Sequence, residues 1–139
     1  MYISKSVKDT LRFGEKLAGR LKKGDFVALI GDLGSGKTVL TKGLAKGLGV
    51  KNSRYVNSPT FVIIKEYKGK LPLYHFDLYR LDHPGSLHAE NFEEYFYGDG
   101  VTVVEWADKI NGLLPKNRWE IHMSVAGEGE RKIDIKIKR

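Results

Sequence analysis

Val7, Leu11, Gly14, Leu17, Ala18 and Leu21 recur at helical spacing, so the pattern predicts an amphipathic helix over residues 8–21. Lys23-Gly24-Asp25 ends it in a turn. Phe26-Val27-Ala28-Leu29-Ile30 is then apolar without interruption, as in a strand buried on both faces of a parallel sheet. After a glycine-dense stretch, Val39, Leu40, Leu44 and Leu48 return to helical spacing, with Gly49 placed to cap the helix C-terminus. Phe61 to Tyr67 is rich in β-branched and aromatic residues and reads as a strand. Leu71 to Tyr79 contains another. Pro84-Gly85 breaks the chain, Leu87 to Tyr97 reads as helix, and Val101-Thr102-Val103-Val104 is a second buried strand.

The last part of the chain changes period. Ile133, Ile135 and Ile137 alternate with Asp134, Lys136 and Lys138, and Trp119, Ile121, Met123 and Val125 alternate in the same way. A period of two marks half-exposed strands, and Gly127-Glu128-Gly129 between them predicts a hairpin. The expected fold is α/β, with a sheet parallel in its middle and antiparallel at an edge.

Composition narrows the picture without redirecting it. At 139 residues the chain fits one domain spanning 1–139. It has no repeat and no Pro/Gly/Ser-rich linker. Its 41% hydrophobic and 29% charged residues are ordinary for a globular protein. No apolar run approaches a membrane span, and the N-terminus lacks the apolar segment of a signal peptide. There is no cysteine, hence no disulfide or thiolate metal site. A cytoplasmic protein is expected. The net charge of +7 permits an acidic partner, but the basic residues are scattered rather than clustered, so a solvated lysine-rich surface is the simpler account.

Candidate chemistry lies in Gly31-Asp32-Leu33-Gly34-Ser35-Gly36-Lys37-Thr38, which matches G-x-x-x-x-G-K-[ST] in full. The glycines free the backbone to turn successive N–H groups inward on phosphate oxygens. The following helix offers its positive N-terminal end to the same anion. Lys37 reaches the β- and γ-phosphates, and the Thr38 hydroxyl serves Mg²⁺. A strand pattern ends just before Gly31 and a helix pattern follows Thr38, the context this loop requires. The expected fold class is therefore a P-loop NTPase-like three-layer α/β fold, and the expected cofactors are ATP and Mg²⁺.

Such a loop needs an acidic residue at the end of a neighbouring strand. Val101 to Val104 ends in Glu105, and Leu73-Tyr74-His75-Phe76 ends in Asp77. Residue patterns do not rank the two. Asn57-Ser58-Pro59-Thr60 is either a switch segment sensing the γ-phosphate through Thr60 or a plain Ser-Pro turn, and on residues alone the turn is favoured. Arg80 is either an arginine finger in cis or the partner of Asp77 or Asp82, and the ion pair is favoured. Trp106 reads as core. His75, His83, His88 and His122 show no metal-ligand spacing and read as structural or solvated.

Several segments together make the chain similar to one family, the bacterial TsaE (YjeE-type) P-loop ATPases. They are the phosphate loop, Ser58-Pro59-Thr60-Phe61, Tyr74-His75-Phe76-Asp77-Leu78-Tyr79-Arg80-Leu81, Glu94-Tyr95-Phe96 and Val104-Glu105-Trp106. They fall in the family's order, and the likeness covers about residues 5 to 135. The resemblance implies a compact ATPase required for N6-threonylcarbamoyladenosine in tRNA. It implies the partners TsaB and TsaD, with tRNA met indirectly through that complex. It further implies that Lys37 contacts phosphate, that Thr38 and Glu105 bind Mg²⁺, and that Asp77 supports the metal or the attacking water. Thr60 then belongs to a switch and Trp106 lies near the nucleotide. The adenine would lie around Val7 to Thr10 and near Gly129 to Arg131. Asn91 departs from the family, which has glycine there, and puts the local helix geometry in doubt.

A small-molecule kinase shares the phosphate loop, but Arg12, Arg20, Arg54, Arg80, Arg118, Arg131 and Arg139 form no lid-like cluster. No N-K-x-D segment points to guanine, and no RRM-type signature points to an RNA-binding module.

Overall fold

A computed structural model of the chain describes residues 1–57 and 64–139, and of residues 88–90 the backbone alone. Seven strands form one sheet: β1 (Tyr2–Ser4), β2 (Phe26–Ile30), β3 (Ile64–Tyr67), β4 (Leu73–Asp77), β5 (Val101–Glu105), β6 (Arg118–Gly127) and β7 (Glu130–Lys138). Their order across the sheet is β1-β7-β6-β2-β5-β4-β3. β6, β2, β5 and β4 run parallel. The β6–β7 hairpin, β1 and β3 are antiparallel to their neighbours.

Helices α1 (Val7–Ala18) and α2 (Lys37–Gly47) cover one face. They meet Val27, Leu29, Leu73, Val103, Ile121 and Ile133 of the sheet in one core. On the other face α3 (Phe92–Phe96) and two 3-10 segments, Pro84–Glu90 and Ala107–Leu113, bury Phe26, Ala28, Phe76 and Val104. The central strands β2 and β5 thus lose both faces to packing, which is why their sequences are unbroken apolar runs. Among the described residues, no helix is long and apolar enough to cross a membrane.

Local chemistry sets the ends of these elements. Ser6 caps α1 by accepting from the Asp9 N–H at 3.0 Å, and Asp9 accepts in turn from the Lys5 N–H at 2.9 Å. The helix stops at Ala18, short of the expected residue 21, although Leu21 still enters the core. Gly49, at φ 82°, follows α2, and its N–H donates to the Lys46 carbonyl at 3.1 Å. The expected single helix over 87–97 is instead a 3-10 segment and the short α3. Asn91, at φ 51° and ψ 47°, separates them. That is a left-handed position which glycine favours and asparagine tolerates, so the departure at residue 91 keeps the local geometry.

α1 and α2 cross with their backbones nearly touching. A Cβ on Gly43 would run into the Leu11 carbonyl and lie 3.1 Å from the Gly14 Cα, and one on Gly14 would sit 2.8 Å from the Leu40 carbonyl oxygen. Gly43→Ala is therefore expected to destabilise the protein by about 1–3 kcal/mol, even though alanine is the better helix former. Gly112→Ala, at a site with no atom within 4 Å of the added Cβ, is the control. Equal urea midpoints for the two variants would refute this account of the crossing.

Candidate functional site

The unit β2–loop–α2 carries the phosphate-loop motif. Residues 31–36 join the end of β2 to Lys37 at the start of α2. Gly34 and Gly36 have φ of 82° and 98°, left-handed conformations in which a Cβ is strained. Gly31 is needed for a different reason: a Cβ there would collide with the Met123 carbonyl of β6 and lie 2.7 Å from Ser35 Oγ.

Lys37 opens α2 with its side chain folded back over the loop and only 5% exposed. Its Nζ donates to the carbonyls of Gly31 at 2.6 Å and Asp32 at 2.9 Å. It also lies 4.1 Å from the centre of the Trp106 ring, a cation–π distance. Burial pushes its pKa down, against the opposing pull of Glu105, Asp77, Asp108 and Asp32.

Glu105 ends β5 and is 2% exposed. Its Oε1 accepts from Thr38 Oγ1 at 2.9 Å. Its Oε2 lies 2.6 Å from His75 Nε2 and 3.4 Å from Thr41 Oγ1. A buried carboxylate needs such donors to offset desolvation, and these come from α2 and from β4. Asp77 stands opposite Glu105 in the β4–β5 register, half-buried, and its Oδ1 accepts from the Tyr79 N–H at 3.0 Å. Trp106 follows Glu105 at φ 62°, an outlying conformation for a bulky residue. The turn leaves its ring over Lys37 and 5.1 Å from the Tyr79 ring. Trp106 is thus half-buried at the loop rather than sealed in the core.

The model of the family described as threonylcarbamoyl adenosine biosynthesis protein TsaE matches residues 4–133. The chain belongs to the TsaE family. A TsaE protein of Bacillus subtilis is 48% identical over 90% of this chain and 77% of its own length. One from Treponema pallidum is 38% identical over 96% of this chain and 97% of its own. A crystal structure of Bacillus subtilis YdiB superposes with a TM-score of 0.81 at 39% identity, covering 99% of this chain and 84% of that one.

Against the expectations that TsaE membership carries, the structure brings Gly31 to Thr38, Glu105, Asp77 and Trp106 into one site. Arg131 reaches its rim, with its Cγ 3.8 Å from the place of a Cβ on Gly36. The Gly129 turn and the start of α1 are neighbours, since a Cβ on Gly129 would lie 4.0 Å from the Lys5 carbonyl oxygen. Val7 is exposed there. Thr10 is buried, and its Oγ1 lies 2.6 Å from Ser4 Oγ, so it turns inward. Thr60 lies outside the described residues.

The ion pair expected of Arg80 is not formed. Among the described residues Arg80 is exposed and pairs with neither Asp77 nor Asp82, because Asp77 is turned toward the Tyr79 backbone. His75 and Thr41 were missed as site residues. Spacing offered no signal, for His75 meets a carboxylate 30 positions away. Its place inside the Tyr74 to Leu81 segment was the available clue.

Proposed function

We propose that this protein binds ATP with Mg²⁺ on the loop of residues 31–38 and hydrolyses it in forming N6-threonylcarbamoyladenosine in tRNA. The observation that carries this reading is the convergence, at the mouth of a glycine-bent loop, of Lys37, held by the Gly31 and Asp32 carbonyls, and the hydrogen-bonded pair Thr38–Glu105. The pathway is supported by the relatives, which are tRNA threonylcarbamoyladenosine biosynthesis proteins.

In this reading the loop N–H groups and the N-terminus of α2 hold the phosphates, and Lys37 adds its charge from above the loop. Thr38 Oγ1 and Glu105 Oε1 suit Mg²⁺, which takes hard oxygen donors and few protein ligands. Bound Mg²⁺ would neutralise charge developing on the β- and γ-phosphate oxygens. Asp77, on the same sheet face as Glu105, orients the attacking water. Trp106 shields Lys37 from bulk solvent. The adenine lies along the start of α1 and the Gly129–Arg131 turn.

The partners are TsaB and TsaD, and tRNA is met through them. Hydrolysis by the isolated protein is expected to be slow, because Arg80 is exposed and, among the described residues, no hydrogen bond or ion pair joins an arginine to Lys37 or Glu105. A charge-stabilising group from a partner surface would raise the rate. The test is phosphate release with and without TsaB and TsaD, with competition by GTP. A rate indifferent to both partners would overturn the complex-dependent reading. Labelled phosphate appearing on a small acceptor would instead make the protein a kinase.

A further inference from the structure

Leu73, His75 and Asp77 alternate onto the face of β4 that looks toward α2. Leu73 lies in the core with Leu40 and Leu44, and Asp77 stands at the strand end beside Glu105. Between them the His75 side chain is 0% exposed. Burying an imidazole costs free energy unless it is hydrogen-bonded, and an aliphatic side chain would fill this part of the core without that cost. Among the described residues the ring makes one hydrogen bond. Nε2 lies 2.6 Å from Glu105 Oε2, while Nδ1, also buried, has no partner among the described residues. A carboxylate only accepts, so Nε2 carries the hydrogen and donates it.

The two oxygens of Glu105 are thereby divided. Oε2 faces inward to His75, with Thr41 more distant at 3.4 Å, and Oε1 faces the Thr38 hydroxyl at the mouth of the loop. Thr41 Oγ1 is in any case engaged with the Lys37 carbonyl at 2.9 Å. His75 is therefore the short, buried constraint on the direction in which the carboxylate points.

We propose that His75 is a positioning residue for the cation site, fixing Oε2 of Glu105 so that Oε1 stays turned toward Thr38. This rests on the Mg²⁺-nucleotide reading given above. A partner of this kind, one step behind a ligand, is worth about 10–100-fold in metal affinity.

The test uses Mn²⁺ as the probe cation, titrated by electron paramagnetic resonance into the full chain with ADP, so that no turnover is needed. Two variants separate geometry from packing. The side-chain amide nitrogen of His75→Gln falls near the Nε2 position and can still donate to Glu105. That of His75→Asn falls near Nδ1 and cannot. His75→Asn is expected to weaken Mn²⁺ binding about 10-fold or more, with His75→Gln close to wild type.

Wild-type Mn²⁺ affinity in His75→Asn would overturn this inference and leave the cation reading standing. Equal weakening in both variants would mark a packing role and overturn it as well. A wild-type protein that binds no Mn²⁺ with ADP would overturn both. If His75→Asn does not fold, His75→Gln decides alone, with retained affinity in favour and lost affinity against.

Discussion

Lys37→Ala is expected to lower ATP turnover by on the order of 100- to 1,000-fold, the usual effect of removing one charge-stabilising donor from a reacting centre. The side chain is almost wholly buried, yet it belongs to no apolar core. Its ammonium is held by two loop carbonyls and one aromatic ring, all at the mouth of the loop. A lysine so placed is costly to bury, as its lowered pKa records, and a methyl group in its place would not unfold the protein. Gly31 is half-buried and Asp32 exposed, so water can satisfy the carbonyls that Lys37 leaves. The stability cost should be about 1 kcal/mol. Circular dichroism melts and binding of a fluorescent ATP analogue, alongside phosphate release, separate the two effects. Wild-type turnover in the variant would remove the chemical basis for placing the nucleotide on this loop.

The strand–loop–helix unit was legible because each part carries a signal within a few residues. Phe26–Ile30 is apolar on both faces, the loop has glycine where φ is positive or a neighbour is too close, and α2 repeats at helical spacing. The β6–β7 hairpin was legible for the same reason, its period of two surviving as the Ile121↔Ile135 and Met123↔Ile133 pairs. β1 was not. Tyr2–Ser4 is three residues long, too short to show a period, and it is a strand only because it pairs with β7 along Tyr2↔Ile133.

The choice between Asp77 and Glu105 shows where sequence reasoning alone stops. Both residues end apolar strands, and the register sets them side by side. What distinguishes them is tertiary: Glu105 is buried and meets Thr38, Thr41 and His75, whereas Asp77 is half-buried and caps its own turn. Trp106 is similar. A lone tryptophan after a buried strand reads as core, and only the left-handed turn at its own backbone carries the ring out over Lys37. A strained residue of this kind persists where surrounding contacts over-determine it, at a cost of order 1–3 kcal/mol. Here those contacts are Lys37 and Tyr79.

Glu105→Ala is expected to abolish the Mg²⁺ dependence of nucleotide binding and to lower turnover by on the order of 100-fold or more. It should also destabilise the fold more than Lys37→Ala does. Three donors lose their acceptor, and their fates differ. The Thr38 hydroxyl is half-buried and can turn to water, and Thr41 keeps the Lys37 carbonyl. His75 has no alternative among the described residues, because its ring is fully buried and its Nδ1 has no partner there either. An orphaned buried donor costs about 1–3 kcal/mol, so the urea midpoint should fall. Glu105→Gln separates the two effects. Its amide oxygen can still accept from His75, so stability should return toward wild type, while the lost negative charge should leave Mg²⁺ dependence and turnover impaired. If Glu105→Gln restored both stability and Mg²⁺-dependent turnover, the carboxylate would be a structural anchor for β4 and α2, and the cation would have to be held elsewhere.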